Sequence, residues 1–105
     1  MEKPNLSYIE SMSGGDKAFE QKLIDIIQKE FPEEKQIYFD NISAENYKEA
    51  AENVHKLKHK ISILGLVKSY ELAATYENNL IDMNLKGKED FESTLQLMTI
   101  FLKTL

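Results

Sequence analysis

The sequence contains no cysteine, which excludes disulfides, zinc–thiolate sites and thiol chemistry and leaves no redox clue to the compartment. Breakers are scarce as well, with two prolines and four glycines in 105 residues, so long regular elements are expected. Long apolar runs are missing. The most apolar window, Ile61 to Val67, is seven residues long and includes Ser62 and Gly65, far short of the roughly 20 residues that cross a bilayer. The first fifteen residues carry Glu2, Lys3 and Glu10 and no apolar stretch, so no secretory signal is visible there and a cytoplasmic location is expected. Positive charge is in deficit too: the formal net charge is -5, whereas binding a phosphate backbone needs a basic face. Neither nucleic acid nor a membrane is therefore expected as a partner.

What remains, 42% hydrophobic and 30% charged residues, is the balance of one soluble globular domain spanning residues 1–105. A chain of this size buries a modest core and leaves little for an enclosed cavity between domains. Its apolar residues recur at spacings of three and four, the period of helices. A short opening turn over Ser7 to Met12 meets the breaker Ser13-Gly14-Gly15, after which Asp16 can cap a helix carrying Phe19, Leu23 and Ile26 or Ile27. That helix should run to about Ile42. Pro32 inside it removes a backbone bond and crowds the preceding turn, which predicts a kink near Lys29 or a split into two shorter helices.

Asn46 and Glu49 form a capping-box pattern, and the stripe that follows is Tyr47, Ala50, Val54, Leu57, Ile61 and Leu64, ending at Gly65. The next stripe is Leu72, Ala73, Tyr76, Leu80 and Met83, and the last is Phe91, Leu95, Met98, Leu102 and Leu105. The fold class expected is all-α, an antiparallel up-down four-helix bundle with a short additional N-terminal helix.

The chain has two histidines, His55 and His59, four apart and so on one face of the same helix, one turn apart. That face is not the core face. His55 follows Val54, which turns it about 100° away from the buried stripe. Lys58, His59 and Ser62 share its side, with Lys56 and Lys60 flanking, so a net-negative protein sets three lysines around an exposed imidazole. A basic surround suits a phosphoryl group, whose charge needs compensation while an imidazole nitrogen attacks. Lys58 is the best placed of the three, with its head group expected in solvent and its stem along the helix. A hairpin turning at Gly65-Leu66 brings residues equally distant from the turn to one height: His55 lies ten before Gly65 and Glu77 eleven after Leu66. Glu77 is thus a candidate to accept a hydrogen bond from Nδ1–H of His55 and leave Nε2 as nucleophile.

Two other chemistries compete. Histidines at i and i+4 can both ligate zinc, with Glu77 as a third ligand, although Lys56 stands where the H-E-x-x-H pattern needs glutamate. A helical adaptor that binds partner helices or domains without chemistry has the same fold.

The run Val54-His55-Lys56-Leu57-Lys58-His59-Lys60-Ile61-Ser62-Ile63-Leu64-Gly65-Leu66 resembles the signature of histidine-containing phosphotransfer (HPt) domains of bacterial-type phosphorelays. The opening stretch from Leu6 through Gly14-Gly15-Asp16 is similar to the family's start, and the helix order covers nearly the whole chain. The resemblance implies that His55 is the phosphoacceptor and Lys58 the phosphate-stabilising residue. Glu77 falls where many members carry a glutamine that bonds the histidine, and His59 replaces the glycine that commonly follows the lysine. It implies a phosphocarrier rather than a stand-alone kinase, working as a monomer with the receiver domain of a response regulator or hybrid kinase. No cofactor of its own is expected: no glycine-rich nucleotide loop is present, and Mg²⁺ should come with the receiver. Leu6, Tyr8, Ile9, His59 and Ser62 are the residues expected to dock that partner.

Overall fold

The structure, a computed structural model, describes residues 2–105. All regular structure among them is helical: α1 (Ser7–Ser13), α2 (Lys17–Ser43), α3 (Tyr47–Ile63), α4 (Val67–Ile81) and α5 (Lys88–Lys103). Among the described residues no helix is long and apolar enough to cross a membrane.

Asp16 starts α2 as anticipated, its side chain accepting from the Phe19 N–H at 3.1 Å. The split anticipated at Pro32 does not occur, since α2 continues through it to Ser43. Ile27 and Phe31 before the proline and Tyr38 after it are all buried, so packing holds both halves on one path. The inner face of α2 is Ile24, Ile27, Phe31 and Tyr38, whereas Phe19 and Ile26 are each 42% exposed. Of the expected stripe, Ile27 is in the core and Leu23 packs partly buried against it, while Phe19 stands outside. Asn46 is the N-cap of α3, but its side chain makes no capping bond, so the capping box is not formed. Its backbone N–H instead bonds the Asn41 carbonyl at 2.8 Å, continuing the end of α2 into the turn.

The α3 stripe is buried from Ala50 through Leu64, with Tyr47 half-buried at its edge. In α4 the inner residues are Ala73, Tyr76 and Leu80. Leu72 stands outside on the neighbouring face, and Met83 lies beyond the helix end, 73% exposed. Leu105 likewise falls past α5 and is exposed.

Side-chain partners give the directions. α2 and α3 run antiparallel, with Lys60 on Glu30 and Glu34 near one end of the pair and Asn53 on Asn41 near the other. Gln28 bonding the Leu102 carbonyl and Lys35 bonding Thr99 set α5 antiparallel to α2. Tyr38, Tyr76 and Phe91 form an aromatic centre, with ring centroids 5.1 Å (Tyr38–Phe91) and 5.3 Å (Tyr76–Phe91) apart. The two phenols meet at 2.7 Å and Tyr38 donates to Glu92 at 2.9 Å, which satisfies polar atoms that burial would otherwise penalise. Burial pushes both phenols up, Tyr76 to about 12 and Tyr38 further, so both stay protonated.

The α3–α4 hairpin turns at Gly65, whose φ of +80° is a left-handed conformation that side chains resist. Residues before α1 lie across this turn. The Asn5 N–H bonds the Leu64 carbonyl at 2.9 Å, and Glu2 accepts from the Lys68 and Ser69 N–H groups at the start of α4. The Lys68 bond, chiefly, holds the Glu2 carboxyl below the ordinary glutamate range. A Cβ on Gly65 would lie 2.5 Å from Asn5 Nδ2. Gly65→Ala is therefore expected to cost about 1–3 kcal/mol, measured by denaturant midpoint. Adding Asn5→Ala should restore only part, because the backbone strain remains. A Gly65→Ala protein that unfolds like the parent would contradict this account of the turn.

Candidate functional site

Burial of Val54, Leu57, Ile61 and Leu64 fixes the rotation of α3, and His55 comes out on the solvent side with its side chain 54% exposed. Burial of Tyr76 does the same for α4 and brings Glu77 to the α3–α4 seam, 18% exposed. Glu77 Oε2 lies 3.1 Å from His55 Nδ1. An ionised carboxylate only accepts, so the hydrogen is assigned to Nδ1 and the Nε2 lone pair faces away from Glu77. His55 and Glu77 thus meet at one height across the hairpin, as their distances from the Gly65-Leu66 turn predict.

The second Glu77 oxygen lies 2.9 Å from Lys58 Nζ, an ion pair rather than an aligned hydrogen bond. Lys58 does not extend into solvent as expected: its side chain is 13% exposed and its ammonium is 5.6 Å from the centre of the Tyr70 ring. The cause is rotational, since Lys58 points to the α4 side of α3, where a carboxylate and an aromatic face receive it. Lys60 also leaves the expected basic face. It is buried against α2, with Nζ 3.1 Å from Glu30 and 3.0 Å from Glu34. Of the three lysines around His55, only Lys56 is exposed and without an ion pair among the described residues.

An open groove of about 720 Å³ borders His55 and Glu77, lined also by Lys48, Ala51, Glu52, Lys56 and Ile81. Sequence reasoning missed Lys48, Ala51, Glu52 and Ile81. The signal was available as helical spacing: 52, 51 and 48 lie three, four and seven before His55, and Ile81 lies four after Glu77. On the other side of His55 the exposed His59 ring sits 5.0 Å away, centre to centre, and nearly perpendicular. Ser62, one turn further, is exposed as expected.

The N-terminal docking residues separate. Tyr8 is exposed and Leu6 half-buried, but Ile9 is 1% exposed and belongs to the core, so it offers no docking surface as placed. Short α1 has one inward position per turn, and Ile9 fills it against α2. None of Leu6, Tyr8 and Ile9 lines the groove beside His55. With Asn5 at the Gly65 turn, this segment begins about 15 Å of helix away from His55.

Among the described residues no three His, Asp or Glu side chains gather closely enough to hold a metal ion. The zinc arrangement of His55, His59 and Glu77 is not formed, since Glu77 binds His55 through Nδ1 and Lys58 through its other oxygen. Comparison of the chain with family models, curated proteins and solved structures gave no match.

Proposed function

We propose that this chain is a histidine phosphotransfer domain, relaying a phosphoryl group between receiver-domain aspartates through His55. The observation that carries the reading is the Glu77–His55 Nδ1 contact of 3.1 Å beneath an imidazole more than half exposed. It leaves a directed, accessible lone pair on Nε2. The pairwise helix directions support the matching architecture, an antiparallel four-helix bundle of α2 to α5 with α1 as the short extra helix.

In the proposed step the Nε2 lone pair attacks the phosphorus of an aspartyl phosphate on the partner. The N–P bond forms as the P–O bond breaks, and the aspartate carboxylate leaves with the bonding electrons. The His55 ring gains positive charge, which the Glu77 carboxylate at Nδ1–H stabilises. Lys58 offsets the charge of Glu77. The receiver supplies Mg²⁺ and the second carboxylate, and the protein acts as a cytoplasmic monomer. Its docking surface includes the groove with Lys48, Lys56 and Ile81.

Incubation with a phosphorylated receiver tests the reading: label should reach the native chain and not His55→Gln, while equal label on both would end it. A helical adaptor without chemistry would be indifferent to that exchange. Glu77→Ala is expected to slow single-turnover transfer roughly a hundredfold, the scale on which orienting carboxylates act. Glu77→Gln keeps an acceptor without the charge and should fall between. An unchanged rate in Glu77→Ala would leave the carboxylate with no part in transfer.

A further inference from the structure

We infer that His59 is a second working imidazole of this site, which in its protonated form donates a hydrogen bond to the phosphoryl group carried on Nε2 of His55. The inference rests on His55 being the acceptor and adds to it a source of charge and a pH dependence. The rings lie 5.0 Å apart at 88°, with His59 one turn along the same exposed face. Because Glu77 holds Nδ1 of His55 toward α4, Nε2 is turned away from that carboxylate, on the exposed face of α3 that also carries His59.

Two of the three lysines around His55 are already engaged. Lys58 is turned to Glu77 and over the Tyr70 ring of α4, and Lys60 is turned to Glu30 and Glu34 of α2. Lys56 lies along the groove on the opposite side of His55. His59 is exposed and makes no ion pair among the described residues, so its imidazole is uncommitted. α1 contributes Tyr8 and Glu10 as its titratable groups, both exposed and neither in an ion pair among the described residues.

A phosphoryl dianion next to an imidazolium makes a charge-assisted hydrogen bond, about twice as strong as a neutral one. The bond needs the proton on the His59 ring, so it strengthens as pH falls. The His59 proton stays on His59: N–P bond formation moves electrons only from Nε2 of His55 to phosphorus and from phosphorus to the leaving group.

Phosphoramidate, a small histidine-phosphorylating donor, allows a test without a receiver. The rate of His55 labelling would be followed by phosphorus NMR for the native chain, His59→Asn and His59→Lys, with melting curves as the control for folding. The ratio of native to His59→Asn rates cancels the pH dependence of the donor. It should reach roughly tenfold as pH is lowered and fall toward one as pH is raised, and His59→Lys should keep the gain at both ends. A ratio that does not change with pH, no rescue by lysine, or label on His59 itself would each overturn the inference while leaving His55 as acceptor. Equal labelling of His55→Gln and the native chain would overturn both.

Discussion

Glutamine in place of His55 is expected to abolish phosphoryl uptake while moving the melting temperature by less than about 4 °C. The two halves of that expectation have separate physical grounds. A primary amide has its nitrogen lone pair delocalised into the carbonyl, so glutamine offers no nucleophile, and uptake should fall to background rather than by a modest factor. Stability should hardly change, because the His55 side chain is 54% exposed and its one polar contact is with Glu77, to which a glutamine amide can still donate. The measurement is acid-labile label on the isolated protein after exposure to a phosphorylated receiver, with a melt of the same sample. Loss of label with a large drop in melting temperature would mean that the ring holds the helix pair together. Undiminished label would move the acceptor elsewhere, with the neighbouring His59 first to be examined.

Most of the fold was legible in the sequence because burial on a helix repeats at three and four. The α3 stripe could be counted from Ala50 to Leu64, and once it was set the outward turn of His55 followed from geometry alone. The Glu77 contact was legible for a related reason: the turn at Gly65 fixes height along two antiparallel helices. What stayed hidden was the destination of long polar side chains. A lysine reaches several ångströms in many directions, so position on the helix does not say whether Lys58 or Lys60 ends in water or on a carboxylate of the next helix. Glu30 and Glu34 are some thirty residues from Lys60 in the chain, and only assembly of α2 against α3 shows that they take it. The same limit misplaced Ile9. In a helix of two turns there is no repeat to reveal which apolar residue faces inward.

The corrected charge pattern changes how the site is held. Lysines gathered on one face repel one another, and here they are dispersed. Lys58 and Glu77 neutralise one another at the seam, Lys60 joins α3 to α2, and Lys56 with Lys48 lines the groove beside His55. Fixed elements on both sides thus position His55, while Lys48 and Lys56 stay exposed beside it.

Leu57→Ala should produce the largest stability loss of the exchanges considered, about 2–5 kcal/mol, the usual cost of emptying a buried leucine site. Leu57 is fully buried, and two residues after His55 it stands roughly 200° round α3, on the opposite face from the imidazole. The loss would take a large share of the roughly 5–15 kcal/mol that stabilises a domain and lower the melting temperature by about 10 °C or more. It should nevertheless spare the chemistry. Below its transition the variant keeps His55 and Glu77 on intact helices, so it should accept label from a phosphorylated receiver at close to the native rate. Ile81→Ala provides the contrast, because Ile81 is 60% exposed and its removal should change stability by no more than about 0.5 kcal/mol. Denaturant midpoints for the two variants and transfer rates measured well below each transition decide the matter. If Leu57→Ala were as stable as the native chain, the rotation of α3 would be wrong, and with it the outward direction of His55.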